Sequence, residues 1–480
     1  FKFPPRDGYQ PLNFSNAQPE KVIARPDQYV KATLYTGDGS SSQLVETGMK
    51  PDLVWVKCRS QAKWHALCDS VRGNGKILHT NSPDFGDVNE NHIPSFTSNG
   101  FTVADIDSGT ANESGFTYAA WTWKAGGNKN TFNIDDVGYA NASDVNMSVG
   151  ALNPYDQSQT WTNYFTGRSL TDANNAFDGS TSTICQSPNH ADAHLMLTYT
   201  FTNVTSLRVY ASNPTTNEMR LNNTGSYTTE SSLGASSNAA WRDLTSLIPG
   251  NRTVTHIEAR TSTGSGVNWA AIEVNGNLLI NSGVTGLTQY PTIAATGSSV
   301  GTKQGFSIVS YTGTGGSSES IPHGLEQSPD FVIIKNRDGG TSGSAGGWWS
   351  VYHHNFPNKH MYAFNTTSPT DAAWNNHGQI TGTTSNLVQV ANGDHSSANN
   401  WWTHSNGADY IMYSWHDVPG LQKFGSYIGT GTADGPLIEL GFKPAIIIYR
   451  RTDAGQPWYI IDTKRDDKNV GYHLISPDNA

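Results

Sequence analysis

KPDLVWVKCRS, from Lys50 to Ser60, sets a proline turn ahead of four consecutive apolar residues, Leu53 to Val56, with a basic residue behind them. A short apolar run rich in β-branched and aromatic side chains predicts a strand buried on both faces. The phrase returns as SPDFVIIKNRD from Ser328 and as KPAIIIYRRTD from Lys443. One buried-strand phrase met three times predicts a chain assembled from copies of one β module.

The surroundings repeat as well. Each copy opens on a tyrosine and two spaced glycines, YTGDG at Tyr35, YTGTG at Tyr311 and YIGTG at Tyr427. Glycine permits positive φ, so these phrases predict turns at strand ends and not nucleotide loops. After the buried strand a tryptophan begins a further extended segment, at Trp64, Trp348 and Trp458, which runs on to a Ser-Pro turn. The first copy closes on YAAWTWKAGG from Tyr118 and the second on YIMYSWHDVPG from Tyr410, whereas the third reaches Ala480 just past its Ser-Pro turn. A β unit without its closing strands exposes a sheet edge. The expectation is that more of the natural polypeptide, or another chain, supplies them.

No segment shows a sustained helical period with caps, so the fold class expected is all-β: tandem antiparallel β-sandwich, jelly-roll-like modules with little helix. The boundaries expected are a lead-in over 1–30, a first repeat over 31–127, a jelly-roll module over 128–292, a linker over 293–304, a second repeat over 305–420 and an incomplete third over 421–480. GSSVGTKQG, from Gly297, reads as flexible Gly/Ser connector. The modules are expected to form an elongated array.

Composition narrows the function. A formal net charge of -10 and a pI near 5.8 oppose a phosphate-binding surface, so no nucleic-acid partner is expected. No window approaches the length of apolar sequence that a membrane helix needs, and no membrane insertion is expected. Cys58, Cys68 and Cys185 lack any CxxC pairing and read as buried thiols.

Two groups of phrases resemble known families. AFDGSTST from Ala176, with WAAIEVNG from Trp269, resembles the discoidin or F5/8C-type galactose-binding sandwich, which has carbohydrate-binding members. YTGDG, PDLVWVKCRS, DSVRG at Asp69 and AAWTWKAGG at Ala119 resemble an uncharacterised module of phage tail-fibre and other virion structural proteins, notably of cyanophages. PPRDGYQPLNFSN from Pro4 is similar to the lead-in of such proteins. The resemblance implies a virion fibre or appendage subunit. It would be a homotrimer, joined to other virion proteins through its termini, that attaches to host surface polysaccharide or lipopolysaccharide. Two other readings stand beside it: a capsid fibre or decoration protein that binds no glycan, and a tailspike-type polysaccharide depolymerase.

The discoidin resemblance implies a structural calcium held by Asp178, Thr183 and Glu273, hard oxygen donors of the kind this ion prefers. The competing reading of Asp178 is an Asx turn that needs no ion. The family commonly places tryptophan two residues after that threonine, where this chain has Cys185. No other cofactor is expected. Trp374, Trp401 and Trp402 lie in polar stretches where the second copy is longer than the first, and are the candidate sugar-stacking platforms, with core or intersubunit packing as alternatives. Adjacent His353 and His354 on a strand point to opposite faces, which disfavours a shared metal. GSSVG at Gly297 matches GxSxG without the strand-turn-helix context that activates such a serine. A non-enzymatic role is therefore expected.

Overall fold

The computed structural model describes residue 23 and residues 25–477, except 83–87, 107–108, 150–155, 191–192, 213–215, 235–238, 262–263, 265, 276, 283–290, 326, 339–348, 357–361, 365–377, 393–400, 433–434 and 467–472. These residues are nearly all β, and their only helices are 3-10 turns of three or four residues. None is long and apolar enough to cross a membrane. The chain forms two compact units, one from Phe1–Val149 with Pro291–Ala480 and one from Gly150–Tyr290.

In the larger unit the first copy is an antiparallel sheet of four strands. An opening strand (Val30–Thr36) pairs with a closing strand (Thr117–Trp123), which pairs with an inner strand (Leu53–Cys58), which pairs with an outer strand (His65–Asp69). The second copy repeats this order with Phe306–Thr312, Asp409–Trp415, Phe331–Asn336 and Trp349–His353. In the third, the inner strand Ile446–Tyr449 pairs with the outer strand Tyr459–Asp462. The registers agree: Leu53 faces Asp69, Phe331 faces His353 and Ile446 faces Asp462. On that register Asp69, His353 and Asp462 are equivalent, as are Trp121 and Tyr413 in the closing strands.

The inner strand is buried on both faces, as its apolar run predicts, and each face enters a different core. Val54 and Val56 point into the first copy's own sandwich, where Val45, Phe101 and Val103 come from a small sheet of Gln43–Glu46, Gly100–Val103 and Ser95–Thr97. Leu53 and Trp55 point the other way, into a core shared with Phe331, Ile333, Trp349 and Tyr413 of the second copy and Trp458 and Ile460 of the third. The second copy has its own outer core around Val332, Ile334 and Met412, against Ile321, Val388 and Val390.

The copies touch in a cyclic pattern. Trp121 Nε1 of the first donates to Asp462 Oδ2 of the third at 3.0 Å, and Tyr413 Oη of the second donates to Asp69 Oδ2 of the first at 2.7 Å. His65 Nε2 of the first donates to the Ser476 carbonyl of the third, and Trp349 Nε1 of the second to the His79 carbonyl of the first. Completing the cycle, Trp458 of the third packs 5.2 Å from Phe364 of the second. This replaces the expected elongated array: the related sheets converge on one core, because the second apolar face of each inner strand has no other place to be buried.

Two boundaries are also corrected. Ala295–Gly301, inside the stretch expected to be a linker, is a buried strand that pairs in parallel with Phe132–Ile134 and antiparallel with Phe306–Thr312. Its small residues permit close approach. Ser299 Oγ accepts from Gly126 N at 2.9 Å and donates to the Gly127 carbonyl at 2.8 Å, and a Cβ on Gly126 would lie 2.3 Å from the Val300 carbonyl oxygen. Residues 128–149, expected in the jelly-roll module, belong to the larger unit.

The tyrosine of the YTG phrase stacks on the first tyrosine of the closing strand, Tyr35 on Tyr118 at 4.9 Å and Tyr311 on Tyr410 at 5.1 Å. The next glycine passes beneath the loop that enters the closing strand, so a Cβ on Gly37 would sit 2.3 Å from the Glu113 carbonyl oxygen. Backbone cannot yield as a side chain tip can. Gly37→Ala is expected to cost about 1–3 kcal/mol in chemical denaturation, in line with other overpacked sites; an unchanged midpoint would contradict the close approach.

The smaller unit is a sandwich of two sheets. One is ordered Phe165–Gly167, His194–Phe201, Val254–Arg260, Glu218–Leu221 and Thr228–Thr229; the other is ordered Cys185–Ser187, Val267–Val274, Leu207–Ser212 and Ala239–Asp243. Alternate residues such as Leu195, Leu197, Ile257 and Ala259 fill its core with Trp161 and Trp269. Arg242 and Glu230 form a fully buried ion pair at 3.0 Å.

Candidate functional site

The residues singled out in the sequence do not gather into one site. Trp402 is 1% exposed and belongs to the second copy's core, and Trp401 packs against that core while its carbonyl accepts from Asn336 Nδ2 and Tyr410 Oη. A ring buried as Trp402 is presents no face to a sugar, so its expected stacking role gives way to packing. Trp374 lies outside the described residues.

Asp178 and Thr183 meet, Thr183 Oγ1 donating to Asp178 Oδ2 at 2.5 Å, while Asp178 Oδ1 accepts from Ser180 N at 2.9 Å. That is the Asx turn. Glu273 is engaged elsewhere, because its strand neighbour Arg208 binds both its oxygens at 2.6 and 2.7 Å. Both carboxylates of the set thus have protein donors in this structure. Among the described residues no group of three or more His, Cys, Asp or Glu side chains is placed to hold a metal. His353 and His354 do meet, with ring centroids 4.9 Å apart, because strand alternation stops at His353. His354 Nδ1 lies 2.7 Å from Asp330 Oδ1.

An open depression in the smaller unit has a more suggestive lining: Tyr164, Thr198, Tyr199, Thr200, Thr255 and His256. Its floor is built from the core outward. Buried Trp161 stacks on Phe201 at 5.9 Å and meets Tyr199 edge-on at 5.1 Å; Tyr199 in turn meets Tyr164 edge-on at 5.3 Å. Tyr164 is 39% exposed. The pairing of His194–Phe201 with Val254–Arg260 slips between Thr198 and Phe201. Such a slip re-aims side chains, and here it falls at Tyr199, among the depression's threonines. Thr255 Oγ1 lies 3.0 Å from His256 Nδ1, and the Thr255 amide is held by Asn222 Oδ1 at 2.6 Å. The result is an aromatic surface rimmed by hydroxyls and an imidazole, a combination able to pack the apolar face of a sugar ring and bond its hydroxyls.

Sequence reasoning missed this set. Period-2 alternation in LMLTYTF assigns Tyr199 to the core, and the slip that brings it to the rim leaves no mark in the sequence.

Comparison with known proteins addresses the larger unit. A family model described as a domain of unknown function, DUF7483, matches residues 25–150 and 281–480. The chain belongs to the DUF7483 family. The match breaks at the smaller unit, Gly150–Tyr290, so the two DUF7483 stretches fold together and the sandwich is inserted between them. No curated protein matches the sequence. Among solved structures, a truncated AlyQ with CBM32 and alginate lyase domains is 10% identical, covering 54% of this chain and 92% of that one with a TM-score of 0.16. A likeness that slight carries no argument about this protein's fold or function.

Proposed function

We propose that this chain is a virion fibre or appendage subunit, in which the DUF7483 unit is the structural body and the inserted sandwich contacts host-surface glycan. The observation that carries the glycan reading is the depression of Tyr164 and Tyr199 with Thr198, Thr200, Thr255 and His256 at its rim. The virion reading rests on the resemblance of YTGDG, PDLVWVKCRS, DSVRG and AAWTWKAGG to phage structural modules, and the multi-module β architecture supports it. An appendage presents many copies of each site, so weak individual contacts suffice through effective concentration. The role is attachment without turnover, with no cofactor needed.

Binding of the full chain to host cells and to purified envelope polysaccharide tests this reading. Tyr164→Ala removes a partly exposed ring and is expected to weaken binding about tenfold, or about 1.4 kcal/mol, with the chain still folded at the assay temperature. No binding by the unaltered chain, or equal binding by the variant, would remove the glycan role. Shortening of the polymer on incubation would instead select the depolymerase reading.

A further inference from the structure

The third DUF7483 copy holds surfaces that the other two bury. Ile447 is equivalent in register to Val54 and Val332; it is 42% exposed where they are 0% exposed. Ile438, at the place of Val45 when the two copies are aligned on Pro444 and Pro51, is 47% exposed against 3%. Tyr427, the tyrosine of YIGTG, is 54% exposed, while Tyr311 is buried and Tyr35 partly buried, each stacked on the first tyrosine of its closing strand. In the other two copies a second, smaller sheet covers the faces of Val54 and Val332 and holds Val45, while the closing strand lies between the opening and inner strands, pairs with both and stacks its first tyrosine on that of the opening strand. In the third copy the inner strand Ile446–Tyr449 pairs with the outer strand alone among the described strands, and the opening segment Phe424–Gly429 has no ladder.

We infer that the third copy is an acceptor site for a β-strand of the closing type, which inserts between the opening segment and Ile446–Tyr449. The two closing strands define its chemistry: a tyrosine, an aromatic hydrogen-bond donor three residues on, and a tryptophan two residues further, as in Tyr118, Trp121 and Trp123 or Tyr410, Tyr413 and Trp415. The tyrosine stacks on Tyr427. The cyclic contacts place the other aromatic, because the first copy's donor reaches the third copy's acid and the second copy's donor reaches the first copy's acid. The remaining donor belongs on the second copy, where the equivalent residue is His353, packed beside Phe424 of the acceptor. Asp52 accepts from Ala125 N beyond the first closing strand, and Asp330 from Asp417 N beyond the second. Ala445 stands at that place in the third copy, so the entering strand is held by its ladder and apolar contacts without this clamp. Main-chain pairing supplies affinity and the aromatic spacing supplies selectivity, as in other strand-addition sites.

The test uses the full chain and a labelled peptide of residues 408–417, ADYIMYSWHD, with a scrambled peptide as control. The native-order peptide is expected to bind one-to-one, about tenfold or more tighter than the scrambled one, a difference of about 1.4 kcal/mol. The double variant Tyr427→Ala, Ile447→Lys alters only exposed side chains, so the ligand-free melting temperature stays unchanged while peptide affinity falls about tenfold. Equal binding of both peptides, or undiminished binding by the variant, overturns the inference. Self-association that the variant abolishes, without peptide binding, also overturns it and assigns the surface to a second copy of the chain.

Discussion

Asp69→Ala is expected to destabilise the DUF7483 unit by about 3–5 kcal/mol, the range for removing one partner of a fully buried ion pair. Asp69 and Arg72 are both 0% exposed and 2.5 Å apart. Asp69 Oδ1 also holds the Val71 and Arg72 amides, at 3.0 and 2.9 Å, and Oδ2 receives the Tyr413 hydroxyl. One carboxylate thus closes its own turn, neutralises a buried guanidinium and ties the second copy to the first. Removing Arg72 together with it, in Asp69→Ala, Arg72→Met, is expected to cost less than the single change, because no buried charge is then stranded. Tyr413→Phe should cost about 1–2 kcal/mol and be strongly non-additive with Asp69→Ala in a double-mutant cycle, since both break one bond. Additive effects would contradict the contact between copies. The third copy repeats the device: Asp462 and Arg465 lie 2.6 Å apart, and Arg465 binds the Ile460 and His473 carbonyls as Arg72 binds those of Leu67 and Lys76.

Mild acid should unfold the same unit. Burial holds His323 and His353 neutral, their pKa values pushed down to about 4, and it lowers His404 as well. The bonds of His323 show why. Its Nδ1 accepts from Leu325 N at 3.0 Å while Nε2 donates to the Thr384 carbonyl at 3.1 Å, so a second proton would face an amide donor. The unfolded chain takes up this proton near pH 6.5 and the folded chain only near pH 4. Stability is therefore full above about 6.5 and falls progressively toward 4. His323, fully buried, accounts for about 3 kcal/mol of that loss. Denaturation midpoints across this interval are expected to drop steeply, and His323→Gln to flatten the slope; a flat profile in the unaltered chain would mean that these rings protonate freely.

Much of this architecture was legible in the sequence, and the illegible part has definite physical causes. The apolar run at Leu53–Val56 announced burial on both faces, but which core each face enters depends on packing between copies. The Asp-x-x-Arg pairs at Asp69 and Asp462 follow their outer strands at one register, yet the second copy carries His353 and Phe356 there, which hides the repeat. There His353 Nδ1 still takes the Asn355 amide at 3.0 Å, keeping the turn while the charge pair becomes a ring contact of 5.3 Å. Gly297, Ser298 and Ser299 were read as flexible because small polar residues fill linkers, but they also fill the tightest strand crossings. The polar neighbours of Trp401 and Trp402 made them candidates for a surface platform with core packing as an alternative, and the structure takes the core for Trp402, because long-range packing outweighs local composition.

Scanning calorimetry of the full chain, alone and with Asp69→Ala or Tyr413→Phe, tests most directly whether the copies share one core. The account predicts that all three copies melt in one transition apart from that of the inserted sandwich, and that either substitution lowers that whole transition. Separate transitions for the copies, with Asp69→Ala moving only the first and Tyr413→Phe only the second, would contradict it.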